Sequence, residues 1–209
     1  MKSIGTGIFA LGFALVLSSC RSTPPVKTDQ VRDGHWSARA LIRDKEQARS
    51  YIVILNFNAV KDERARMDVT STLGTGVASL VVAPTEVRYV LLDSKRFYFG
   101  SPQLDVMRPI LAIPFDPRWL HNILFDMPIE GSDWSCQRGE ADFLKECVNS
   151  KVNLKVSWSA RSGERKTVFI EHPKAEVQIN FQSFQPKVQD RKNLFVLEAP
   201  EGFQKLRVR

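Results

Sequence analysis

Apolar and polar residues alternate with period two over most of the chain after Gly34. Val152, Leu154, Val156 and Trp158 alternate with Asn153, Lys155, Ser157 and Ser159, and Val177, Ile179 and Phe181 alternate with Gln178, Asn180 and Gln182. Successive strand side chains point to opposite faces, so each stretch predicts a strand with one buried face. Similar segments run over residues 36–42, 51–57, 64–69, 77–82, 87–92, 95–99, 167–170 and 194–197, which gives about ten strands. Their connections are short and hold turn formers, as in Arg161-Ser162-Gly163-Glu164 and His172-Pro173-Lys174. That favours antiparallel neighbours. A sheet of this many strands either closes into a barrel or leaves edges and a concave face that something must cover.

The centre of the chain changes period. Residues 102–113 carry Leu104, Met107, Ile110 and Leu111 at helical spacing, and Asp116-Pro117 opens a second segment with Trp119, Leu120, Ile123 and Leu124 on one face. Two short amphipathic helices are expected to interrupt the sheet. They serve either as an ordinary lid over the core or as a movable cover for a hydrophobic cavity.

The N-terminus follows neither period. Lys2 precedes an apolar run of about 14 residues, from Ile4 to Leu17, and Leu17-Ser18-Ser19-Cys20 follows. These are the parts of an export signal, and the run is shorter than the ~20 residues a membrane-crossing helix needs. The four residues ending at Cys20 resemble the lipobox of bacterial lipoproteins, which implies removal of residues 1–19 and lipid attachment to Cys20. The alternative is an ordinary secretory signal with an incidental cysteine. Arg21, rather than aspartate, follows Cys20 and points to the outer membrane, with the body facing the periplasm. Residues 20–33 are polar and contain Pro24-Pro25. They read as a flexible tether able to reach about 45 Å at ~3.4 Å per residue. Residues 34–209 are of ordinary size for a single domain.

The formal net charge is +7, with the positive residues interspersed among acidic ones. Attraction to anionic lipid is consistent with this, whereas no aromatic-basic motif for nucleic acid is visible. Besides Cys20 there are only Cys136 and Cys147, which are expected to pair in an oxidising envelope. His35, His121 and His172 are far apart and lack metal-ligand spacing, so no metal is expected. No nucleophile elbow, phosphate loop or dinucleotide fingerprint is present, and Leu73-Gly74-Thr75-Gly76 lies between two strands, where glycines serve a turn. No catalytic residue and no cofactor are expected, and a non-enzymatic monomer is the resulting expectation.

Three stretches, in order, resemble the LolB-like outer-membrane lipoproteins of the LolA/LolB carrier fold. They are Trp36-Ser37-Ala38-Arg39-Ala40, the run from Met67 to Leu80 around Thr72-Leu73-Gly74, and the run from Val106 to Leu120 continuing to Met127-Pro128. Thr72 stands where the family has proline in its Pro-Leu-Gly loop, and the likeness thins after Ile129. The resemblance implies a mainly β fold with a few helices: a strongly curved antiparallel sheet, an incomplete barrel, covered by the short central helices. It implies an acceptor that takes lipoprotein acyl chains from a periplasmic LolA-like carrier and helps insert them into the outer membrane. Leu73 would then project and contact membrane, unless it folds back onto the core. Candidate cavity residues are Val53, Leu55, Val69, Leu80, Val90, Met107, Ile110, Leu111, Trp119, Leu120, Val156 and Phe181, each of which could equally be plain core. An accessory envelope lipoprotein that binds a protein partner without lipid transfer is the alternative.

Overall fold

The alternating segments build one sheet of twelve strands in a computed structural model that describes residues 23–111 and 113–208. The export signal and Cys20 lie outside the described residues. In chain order the strands are β1 (Asp33–Asp44), β2 (Arg49–Val60), β3 (Arg64–Ser71), β4 (Gly76–Val82), β5 (Val87–Leu91), β6 (Arg96–Gly100), β7 (Trp134–Arg138), β8 (Leu144–Asn149), β9 (Leu154–Ser162), β10 (Arg165–Glu171), β11 (Ala175–Gln185) and β12 (Gln204–Val208). Helix α1 (Trp119–Phe125) interrupts them, and a short helix α2 (Arg191–Leu194) precedes β12. The spatial order is β12-β6-β5-β4-β3-β2-β1-β11-β10-β9-β8-β7. The sheet is open and curved, and its neighbours pair antiparallel except for β12, which runs parallel to β6. Alternation puts Trp36, Ala38 and Ala40 of β1, Leu55 and Phe57 of β2, and Val156 and Trp158 of β9 on the buried inner face.

Both edges lie in parts of the sequence without clear alternation. Strands β7 and β8 pair directly, with Cys136 opposite Cys147 at a Cα separation of 4.0 Å, and the two are disulfide-bonded. A bulge between Gln137 and Arg138 shifts the register there, so the period-two signal is lost. At the other edge, a Cβ on Gly100 would lie 2.3 Å from the Val208 carbonyl oxygen, so only glycine lets β12 approach β6 this closely.

Three sequence expectations are corrected. Residues 194–197 are not a strand. Leu194 ends α2, and Phe195 and Leu197 pack with Val60, Val81, Val90, Phe97 and Val188 in a second apolar cluster. The C-terminal segment thus covers the outer face of this half of the sheet before reaching the edge as β12. The α-helix expected over residues 102–113 is not formed by 102–111, which are a chain of turns with hydrogen bonds from Val106 N to Gln103 O, Arg108 N to Asp105 O and Leu111 N to Met107 O. Pro109 has no N–H to donate, so a continuous ladder cannot form. Residues 23–33, expected as a free tether, are docked from Thr23 onward. Val26 N donates to Gly163 O, Gly163 N donates to Thr23 O, and Val26 and Val31 pack against the core.

Candidate functional site

The inner face of the sheet is sealed by residues 101–133. Asp116 opens α1: its side chain accepts the Arg118 backbone N–H, and Pro117 sets the first turn. Leu120, Ile123, Leu124 and Phe125 turn inward, and Asp126 ends the helix in the left-handed conformation at φ 53°. Trp36 of β1 meets the Phe125 ring edge-on at 5.2 Å, and Trp119 meets Trp134 of β7 at 4.9 Å. Among the described residues, every backbone-to-backbone hydrogen bond made by 101–133 stays within that segment or joins it to Trp134, which follows directly. Among the described residues, side chains and packing hold the cover on the sheet.

Those side-chain ties converge on one buried charge cluster. The Asp126 carboxylate accepts from Lys166 Nζ at 2.7 Å, Arg161 Nη1 at 2.7 Å and Thr28 Oγ1 at 3.0 Å. Lys166 Nζ donates in addition to the Ile123 and Leu124 carbonyls at 3.2 and 2.8 Å, satisfying the end of α1, where Trp158 Nε1 also donates to the Ile123 carbonyl at 3.5 Å. Burial pushes the Asp126 carboxyl up, but Lys166 and Arg161 outweigh it and hold the group below the usual carboxylate range. Burial pulls the Lys166 ammonium down, opposed by Asp126. A second tie runs from Tyr89 Oη to Val106 O at 2.9 Å. Asp126, Lys166, Arg161 and Thr28 were not among the sequence candidates. One signal existed: Lys166 occupies an inward position in phase with Val168 and Ile170, where an apolar residue is the norm.

Val53, Leu55, Val69, Leu80, Met107, Leu120, Val156 and Phe181 lie in one contiguous core, with Ile110, Leu111 and Trp119 packed partly buried against it. Val90 does not join them. It points to the opposite face, into the second cluster with Phe97 and Leu197. The concavity is filled: Ile113, Ile123, Leu124 and Phe125 are all at 0% exposure. Of the candidate lining residues, Trp119 borders a recess of about 490 Å³ shared with Asp62, Asp116, Arg118, His121 and Glu130, and Phe181 borders another beside Lys166 and Asn180. His121 Nε2 is buried without a hydrogen-bond partner, and burial pulls its pKa below the ordinary histidine value.

Leu73 stands at the tip of the β3–β4 hairpin and is 92% exposed. Ser71 shapes the tip: its backbone bonds Gly74 N and Thr75 O, and its hydroxyl accepts from Leu73 N and Thr75 N. Gly74 takes φ +83°, which glycine adopts without strain.

By sequence, no family model and no curated protein matches the chain. Solved structures do match its architecture. A LolA superfamily protein from Nitrosomonas europaea superposes with TM-score 0.50 at 7% identity, over 80% of this chain and 93% of that one. A DUF1329 family protein from Desulfovibrio piger gives 0.56 at 8%, over 81% and 91%. A domain from Vibrio parahaemolyticus described as outer membrane lipoprotein-sorting gives 0.50 at 7%, over 78% and 88%. Identities this low speak to architecture and not to activity. A single open, curved sheet with a helical cover on its inner face, aligned over most of each neighbour, gives this chain the LolA/LolB fold.

Proposed function

We propose that this protein is a membrane-anchored lipoprotein acceptor that shelters acyl chains between its curved sheet and the 101–133 cover. One observation carries the reading. The apolar inner face is closed by a segment that shares no backbone hydrogen bond with the sheet among the described residues, so the segment can lift without breaking a strand ladder. Lifting it would expose the Val53, Leu55, Val69, Leu80, Val156 and Phe181 side chains as a continuous apolar surface. Each methylene removed from water there contributes about 0.8 kcal/mol, which is what retention of fatty tails requires. The Vibrio parahaemolyticus fold neighbour, described as outer membrane lipoprotein-sorting, supports the same reading. Acyl attachment at Cys20, outer-membrane residence, supply by a LolA-like carrier and the absence of catalysis are parts of this proposal. No helix among the described residues is long and apolar enough to cross a membrane.

The test is native mass spectrometry of the protein with a triacylated lipopeptide and with its deacylated form. A one-to-one complex with the acylated peptide only is expected. No complex with either would refute the proposal. The accessory reading, a protein-binding envelope lipoprotein without lipid transfer, draws on the filled concavity. It predicts no acyl-dependent complex.

A further inference from the structure

Among the described residues, six large apolar side chains are exposed, and four of them, Tyr51, Ile52, Leu73 and Leu92, gather at one end of β2 to β5, while Val148 sits at the same end but across the sheet on β8. The strand register brings them together. Val53 pairs with Ser71, the last residue of β3, so Tyr51 and Ile52 extend β2 past β3 and run beside the 72–75 tip. On the other flank Leu92 N donates to Val77 O, and a Cβ on Gly76 would touch the Leu92 side chain. The same end carries Arg49 at the start of β2, Lys95 in the turn before β6 and Arg96 at the start of β6, all exposed. Among the described residues these three cations form no ion pair, whereas Arg43, Lys45 and Lys174 nearby are paired with Glu176 or Glu46.

We infer that this end of the sheet docks onto the head-group layer of an anionic lipid bilayer through Tyr51, Ile52, Leu73 and Leu92, with Arg49, Lys95 and Arg96 facing the lipid phosphates. The inference deepens the acceptor reading by extending membrane contact from one loop leucine to a surface built from three hairpins. Its shape favours a bilayer over a protein. The apolar groups sit on separate tips and strand ends, whereas a stable protein interface needs roughly 800 Å² of complementary surface per partner. Interfacial apolar side chains flanked by unpaired cations are what anionic head groups attract. Thr23, the first described residue, hydrogen-bonds Gly163 at the opposite end of the strands, so contact through this surface is separate from an anchor at the N-terminus.

The test is flotation of residues 21–209, which contain the whole described fold, with vesicles of phosphatidylcholine alone or mixed with phosphatidylglycerol. The wild-type chain is expected to float with the mixed vesicles and to lose binding as salt rises. Arg49→Gln, Lys95→Gln and Arg96→Gln should each weaken that binding roughly fivefold. Combined Ile52→Ser and Leu92→Ser should weaken binding to both vesicle types, while Val196→Ser, an exposed apolar residue elsewhere, should change nothing. Failure of the wild type to float, equal floating by the patch variants, or an equal loss from Val196→Ser would overturn the inference. Lipopeptide binding measured on the same variants should stay at the wild-type level. A loss of vesicle binding alone therefore leaves the acceptor reading standing, and a loss of lipopeptide binding alone leaves the docking surface standing.

Discussion

Asp126→Asn isolates the charge that holds the cover shut. Asparagine keeps the shape, retains a carbonyl acceptor and tolerates the positive φ that Asp126 adopts. It leaves the Lys166 ammonium, 5% exposed, and the Arg161 guanidinium without their counter-charge, with one amide oxygen to share beside the Ile123, Leu124 and Leu144 carbonyls. Removing one partner of a buried pair costs about 3–5 kcal/mol, and the retained acceptor puts this variant near 3 kcal/mol. At about 2–4 °C per kcal/mol for a domain of this size, the melting temperature should fall by roughly 6–12 °C. Adding Lys166→Met removes the stranded charge and fills the space of its stem, so the double variant should recover most of the loss. The pH dependence adds a second readout. The Asp126 carboxyl is held below its ordinary value, so its stabilisation is full above the ordinary carboxylate pKa and is lost as pH falls through the lower folded value. Asp126→Asn should therefore flatten the acid side of the stability profile, leaving the part due to Asp33, whose carboxyl Arg191 and the Val188 N–H hold low against burial. Thermal unfolding by circular dichroism across pH measures both. A melting temperature within about 2 °C of wild type would show that the cluster does not secure the cover.

Three further outcomes are expected. Leu73→Glu should leave stability within about 0.5 kcal/mol, because the side chain is 92% exposed, while impairing delivery of acylated cargo to vesicles; normal delivery would remove Leu73 from the mechanism. Replacing Cys136 and Cys147 together by alanine should cost about 2–3 kcal/mol, given the 11-residue separation, and should speed hydrogen exchange first in β7 and β8; uniform exchange would contradict a local edge staple. The His121 ring should titrate below the ordinary histidine pKa, because burial disfavours its charged form. Stability it withholds would then be lost as pH falls below that ordinary value, where the unfolded chain takes up the proton first; an unshifted NMR titration would show the ring to be solvated.

Local periodicity determined much of this protein. Strands such as β2, β9 and β11 are legible because one face meets the core and the other meets water, and side-chain period two records that directly. The Leu73 tip was legible for the same reason, as an apolar residue in a glycine turn between two such strands. Tertiary structure decided the rest, because the deciding partners are far apart in sequence. Tyr89 is buried on the inner face and Val90 on the outer one, where the C-terminal segment covers β5; alternation puts Val90 in phase with Arg88, and nothing within the Val-Arg-Tyr-Val-Leu run says that this second face is covered as well. The docking of the N-terminal segment and the closing of the cover meet in Thr28, Asp126, Arg161 and Lys166. Thr28 and Asp126 are separated by 98 residues, so only the folded chain shows that Lys166 on an inward strand position has found its counter-charge. A lone charged residue in an apolar alternation marks an exception in the sequence, and burial in a low-dielectric interior forces the fold to supply the partner.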